Sequence, residues 1–128
     1  MTARAAPDSP PRRGRWRPWA SVLATVLILG LLMVPGPSVP DVGFDGIDFV
    51  AHVVLFGVWA TAVQWEFDPP LRVLLGWAAV FALGTELLQT LAIERTFSVA
   101  DIAADLTGVL LAAAGWRLLR RTSLQAGE

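Results

Sequence analysis

Most of the sequence consists of four apolar runs separated by polar or proline-rich connections: residues 19–34, 49–65, 71–93 and 99–119. The first run is about 16 residues long and ends before Pro35-Gly36-Pro37, where a helix cannot easily continue. The third run, at about 22 residues, is long enough to cross a bilayer with some tilt. The pattern predicts an all-α fold, an integral membrane bundle of four spanning helices.

The composition agrees with a membrane protein. The 128-residue chain is 55% hydrophobic and only 16% charged, which leaves too little polar surface for a soluble domain. We therefore expect the lipid bilayer as a partner and no nucleic acid, while assembly into a homo-oligomer stays open. The sequence contains no cysteine, which excludes disulfides, thiolate metal sites and cysteine nucleophiles.

Arginine is unevenly distributed along the chain. Nine arginines lie in the N-terminal segment, around the second connection and after the fourth run, whereas the first and third connections hold only Arg95. The positive-inside rule therefore places both termini in the cytoplasm. Residues 1–18 are predicted to be a disordered basic cytoplasmic tail, 19–121 the membrane domain and 122–128 a short cytoplasmic tail. A cleaved signal peptide is the alternative for the first run, but no small-residue cleavage pattern follows it.

Tryptophans support this topology in part. Four of them lie at proposed cytoplasmic helix ends, as interfacial aromatic residues do: Trp16, Trp19, Trp65 and Trp116. Trp59 and Trp77 fall inside the predicted spans, so helix packing or tilt is needed to explain them.

Polar side chains interrupt three of the runs near one end: His52, Glu86, Gln89, Asp101 and Asp105. Glu86 and Gln89 are three residues apart and the two aspartates four, so each pair lies on one helix face. A rise of about 1.5 Å per residue places all of them within roughly 10 Å of the non-cytoplasmic helix ends. We expect one cluster near that surface, with Arg95 directly above it.

Burying this cluster is costly unless its members interact. One ionised residue in mid-helix costs about 2.5 to 3.5 kcal/mol on insertion scales. Three adjacent carboxyls cannot all stay ionised, although Arg95 or a protonated His52 can balance part of the charge. The cluster is therefore expected to share protons or to bind a divalent cation, with candidate metal ligands His52, Glu86, Asp101 and Asp105. No other cofactor is predicted.

The order and spacing of these residues resemble the VanZ-like family. The resemblance covers about residues 48–116 and rests on a combination of short motifs: Asp48-x3-His52, Glu86-x2-Gln89 and Arg95-x2-Ser98-x2-Asp101-x3-Asp105-x2-Gly108. Two positions depart from the family pattern, because Phe49 stands where Lys is common and Asp105 where Asn is common. The resemblance implies a small bacterial inner-membrane protein with an outer-face site, and the founding members are linked to teicoplanin-type glycopeptide resistance.

Structural roles compete with functional ones at several positions. Gln89 and Ser98 suit interhelical bonding or helix capping, and Asp48 suits capping of the second helix. Arg95 suits either neutralisation of the acids or binding of an anionic lipid headgroup. Three glycines are interpreted as positions where helices pack closely: Gly84, Gly108 and Gly115.

Three classes of function remain open at this stage. The preferred one is a site that binds a cell-envelope lipid or a lipid-linked cell-wall precursor through Asp48, His52, Glu86, Gln89, Arg95, Ser98, Asp101 and Asp105. The second is an intramembrane enzyme, with His52 or Glu86 as general base and Asp101 holding water or a cation, although no nucleophile or metalloprotease motif supports it. The third is a proton or ion pathway, which the lack of ionisable residues in the inner halves of the spans disfavours.

Overall fold

A computed structural model describes residues 18–34, 46–92 and 96–125, and this part of the chain folds into four α-helices. They are α1 (Trp19–Leu32), α2 (Ile47–Phe67), α3 (Leu71–Ala92) and α4 (Val99–Gln125). The all-α prediction is confirmed for these residues. The predictions made for the tail 1–17, for the first connection and for Arg95 lie outside the described residues.

Three of these helices are long and apolar enough to cross a membrane: α2, α3 and α4. The 21 residues of α2 extend about 31 Å, close to the roughly 30 Å of a hydrocarbon core. Helix α1 has 14 residues and extends only about 21 Å. Helix α4 continues to Gln125, so residues 122–125 are helical, although the sequence suggested a short tail from residue 122.

The surface of the bundle is apolar on the side away from the core. Large side chains such as Val58, Val80, Leu91 and Leu111 are exposed by half their surface or more. Contiguous apolar surface of this kind is unfavourable in water, but it suits contact with lipid chains. The exterior is therefore consistent with the three membrane-length helices.

Successive helices run in opposite directions, and α2 and α4 run parallel to each other. His52 contacts Asp105 near the start of these two helices, and Asp68 contacts Arg120 near their other ends. The start of α1 and the end of α4 consequently lie together at one end of the bundle, called here the arginine end. The opposite end, which carries His52, Glu86 and Asp105, is called the histidine end.

Helices α2 and α4 approach closely at Gly108. A Cβ atom at this position would lie 2.1 Å from the carbonyl oxygen of Val53, and Gly57 faces the same spot. Small residues allow the backbones of membrane helices to pack at such short range. The close-packing interpretation is correct for Gly108, but among the described residues a Cβ at Gly84 or Gly115 meets no side chain and no neighbouring helix within 4 Å. Gly57 was missed from the sequence.

An aromatic cluster fills the middle of the bundle. Phe56, Trp59 and Phe81 lie with ring centroids 5.2 to 6.3 Å apart. The indole Nε1 of Trp59 donates a hydrogen bond to Oγ1 of Thr25 on α1 at 3.1 Å. Helix packing thus accounts for Trp59, whereas Trp77 is half exposed and packs edge-on against Phe67.

Candidate functional site

A buried histidine and aspartate pair lies at the centre of the histidine end. His52 on α2 and Asp105 on α4 are each 1% exposed, and Nδ1 of His52 lies 2.8 Å from Oδ1 of Asp105. When Asp105 is ionised its carboxylate only accepts hydrogen bonds, and the pairing then places a hydrogen on Nδ1. The other ring nitrogen, Nε2, then presents its lone pair away from Asp105.

Two further carboxylates lie near the ring of His52. Oδ2 of Asp101 lies 4.0 Å from Nε2 of His52, one helical turn before Asp105. Asp48, one turn before His52 on α2, contributes a carboxylate oxygen. Ligand atoms of Asp48, His52 and Asp101 lie within 4.8 Å of one another, an arrangement that could hold a metal ion.

The three side chains differ in their exposure to solvent. The imidazole of His52 is buried, the side chain of Asp101 is 18% exposed and Asp48 is exposed. Nε2 of His52 is buried without a hydrogen-bond partner among the described residues. A ligand that reaches Nε2 would therefore approach past the two carboxylates.

Glu86 lies at the same end but bonds to the backbone of α4. It is buried, and its carboxylate accepts a hydrogen bond from the backbone N–H of Ser98, just before α4 begins. Oγ of Ser98 accepts in turn from the backbone N–H of Asp101 at 3.2 Å, as an N-cap residue does. Glu86 and Ser98 therefore hold the first turn of α4, and with it the backbone of Asp101.

Gln89 links α3 to α1. Its Nε2 donates to the backbone oxygen of Leu32, the last residue of α1, at 3.1 Å. The carbonyls in the last turn of a helix have no partner within the helix, so this bond satisfies one of them. The contact matches the interhelical role that the sequence suggested for Gln89.

Asp48 does not cap α2 in the expected way. Gly46 is the N-cap residue and makes no side-chain cap hydrogen bond, and Asp48 is the second helical residue. Its negative charge in the first turn is favourable at a helix N-terminus. Asp48 is therefore not the N-cap residue of α2, and its carboxylate belongs to the group around His52.

A second polar cluster at the arginine end was missed from the sequence. Glu66, which the sequence placed in a connection, is the penultimate residue of α2 and accepts hydrogen bonds from the backbone N–H groups of Ala20 and Ser21 at 2.7 and 3.0 Å. The hydroxyl of Ser21 also donates to it. Helix α1 follows Pro18, whose side chain cannot cap a helix. The backbone N–H groups in the first turn of α1 therefore need an acceptor from another part of the chain, and this need was the signal in the sequence.

Comparison of the chain with protein-family models, with curated proteins and with solved structures finds no match. The resemblance to the VanZ-like family rests on the residues quoted above and stays a prediction.

Proposed function

We propose that the chain is a VanZ-like integral membrane protein of the bacterial cytoplasmic membrane whose histidine end faces outwards and binds a cell-envelope lipid or lipid-linked cell-wall precursor. The distribution of arginine supports this orientation. Arg72, Arg117, Arg120 and Arg121 lie at the arginine end, together with the start of α1 that follows the basic tail. That end would face the cytoplasm, with both termini.

The observation that carries the proposal is an apolar groove that begins one residue after His52. It runs between α2 and α4, has a volume of about 750 Å³, and extends from Val53 and Gly108 to Trp65 and Trp116. Val53 follows His52 in the chain, so the groove begins beside the cluster. A polar cluster next to an apolar groove suits a lipid, with the headgroup at the carboxylates and one acyl chain along the groove between α2 and α4.

The side chains at the cluster suit a sugar-phosphate headgroup. The carboxylates of Asp48 and Asp101 are acceptors for hydroxyl and amide donors. Arg95 lies between α3 and α4 in the sequence, three residues before Ser98. An arginine that reached the headgroup would pair with its phosphate. Glycopeptide resistance of the teicoplanin type is one use that such binding would serve.

Retention of lipids by the purified protein tests this function. The protein is placed in nanodiscs, supplied with envelope lipids or lipid-linked cell-wall precursors, and analysed by native mass spectrometry. Asp101→Asn is expected to weaken retention, whereas Asp68→Asn, at the arginine end, is the matched control and should retain lipid normally. If the wild-type protein binds these lipids no better than it binds phosphatidylcholine, the proposed function is wrong.

A second pair of variants tests the groove separately. Ala112 lines the groove, whereas Ala114 is exposed on the same helix and does not line it. Ala112→Phe should fill the groove and reduce retention, and Ala114→Phe should not. Equal lipid retention by both variants would show that no acyl chain occupies the groove.

An intramembrane hydrolase is the second candidate, favoured by the pairing of His52 with Asp105. A carboxylate that orients Nδ1 of a histidine leaves Nε2 able to take a proton from water. Among the described residues, however, no hydroxyl is hydrogen-bonded to Nε2. Product formation from the same lipids, abolished in His52→Gln but present in Glu86→Gln, would favour catalysis over binding.

The structure gives little support to an ion pathway. The buried side chains of Phe56, Trp59, Ala60 and Val109 lie between the polar clusters at the two ends. His52 and Glu66 are 14 residues apart on α2, about 21 Å along the helix. An apolar layer of this kind opposes the transfer of ions between them.

A further inference from the structure

We propose that Asp48, His52 and Asp101 bind one divalent metal ion such as Zn²⁺ or Mn²⁺. The donor set would be Nε2 of His52 and one carboxylate oxygen from each aspartate. Imidazole together with carboxylate oxygens is a donor set that such ions accept. This proposal concerns metal binding alone and does not depend on the proposed lipid.

The first observation behind it is the orientation of His52. A histidine that binds a metal usually donates its other ring N–H to a carboxylate, which fixes the tautomer and the plane of the ring. Asp105 occupies that position, with its Oδ1 2.8 Å from Nδ1 of His52, and both side chains are buried. The pair therefore leaves the lone pair of Nε2 on the side of the ring away from Asp105, and Oδ2 of Asp101 lies 4.0 Å from Nε2.

The second observation is the unsatisfied nitrogen. Nε2 of His52 is fully buried and lacks a hydrogen-bond partner among the described residues, a situation that costs free energy in a folded protein. A carboxylate oxygen of Asp101 lies 4.0 Å away. A metal ion between the two would satisfy both atoms.

Charge and access also agree with a divalent ion. Two aspartates and a neutral imidazole carry a charge that one divalent cation balances. Bonds of about 2.0 to 2.2 Å would draw the three donor atoms to within roughly 3 to 4 Å of one another. His52 is held by Asp105, so the exposed Asp48 and the partly exposed Asp101 would rotate towards it, and the same side leaves positions for water or a ligand oxygen.

The chain offers a direct spectroscopic test because His52 is its only histidine. The full-length protein, purified with a cleavable tag that contains no histidine, is labelled with ¹⁵N-histidine, stripped of metal with a chelator and placed in phosphatidylcholine nanodiscs. Zn²⁺ alone is then titrated. The expected result is a shift of the Nε2 resonance that saturates at one Zn²⁺ per chain, while Nδ1 keeps its proton. A shift at Nδ1, or no saturable shift, would overturn the proposal.

Variants assign the other ligands. Asp101→Asn and Asp48→Asn should each weaken Zn²⁺ binding, measured by calorimetry, by at least about tenfold, and Asp105→Asn by a factor of about 10 to 100 through loss of the orienting carboxylate. Asp68→Asn, at the other end of the bundle, is the matched control and should bind as the wild type does. Unchanged affinity in Asp101→Asn would overturn the site even if the chain binds Zn²⁺ elsewhere. The ¹⁵N titration of the wild-type protein does not depend on the folding of any variant.

Discussion

Replacing Gly108 by alanine should separate α2 from α4 and disrupt the site between them. The added Cβ would lie 2.1 Å from the carbonyl oxygen of Val53, 2.9 Å from its carbonyl carbon and 3.0 Å from the backbone nitrogen of Gly57. All three atoms belong to the backbone of α2. No side-chain rotation can relieve the contact, so the helices themselves must move.

The size of the effect follows from the distances. The shortest ordinary C···O contact is about 3.3 Å, so the oxygen of Val53 must move away from α4 by roughly 1.2 Å. Overpacking in a well-packed core costs about 1 to 3 kcal/mol, and a backbone clash belongs at the upper end. The higher helix propensity of alanine offsets about 0.5 to 1 kcal/mol of this loss in stability. We expect a net loss of about 2 kcal/mol in the free energy of unfolding.

Unfolding by sodium dodecyl sulfate in a mild detergent, followed by tryptophan fluorescence, measures this loss. Gly115→Ala is the matched control, because its Cβ meets no neighbouring helix within 4 Å in the part of the chain that the structure describes, and it should unfold like the wild type or slightly later. Gly57→Ala makes its nearest contact at 3.4 Å and should fall between the two. Equal stability of Gly108→Ala and Gly115→Ala would refute the close packing of α2 on α4.

Three further predictions concern bonds between helices, and the same unfolding assay measures each of them. Glu66→Ala removes the acceptor for the first turn of α1 and should lower the free energy of unfolding by about 0.5 to 2 kcal/mol. Glu66→Gln should lower it less because an acceptor oxygen remains. Equal losses in the two variants would contradict the capping role. Trp59→Phe and Thr25→Val should each be destabilising but not additive, with a coupling of about 0.6 kcal/mol in a double-mutant cycle, and strict additivity would contradict the hydrogen bond. Gln89→Leu should cost about 0.5 to 1.5 kcal/mol by leaving a carbonyl of α1 unpaired, and a neutral substitution would show that the bond adds nothing.

The sequence predicted that polar side chains cluster at the histidine end, because helical periodicity and depth were enough to place them. Asp101 and Asp105 lie one turn apart on α4, and His52 lies at the matching depth on α2, so an up-and-down bundle brings the three together. The relation of Asp48 to His52 follows from the same four-residue spacing. These placements needed only helix geometry and the number of spans.

Contacts that depend on helix rotation or on connections could not be predicted in this way. Helix α2 is apolar nearly all round, so its sequence does not show that its one glycine, Gly57, faces α4. The bond from Glu86 to the backbone of Ser98 depends on the path between α3 and α4. Glu66 and Ala20 are 46 residues apart, and no local pattern pairs them.

The central claim is that the histidine end of the bundle faces the outside of the membrane, and single cysteines test it directly. The chain contains no cysteine of its own, so Thr96→Cys and Ser123→Cys each introduce one exposed thiol, at the histidine and arginine ends respectively. A membrane-impermeant maleimide is applied to spheroplasts that express each variant. We predict that the cysteine at position 96 is labelled in intact spheroplasts and the one at position 123 only after the membrane is opened. The reverse pattern, or labelling of both in intact spheroplasts, would contradict an outward-facing site.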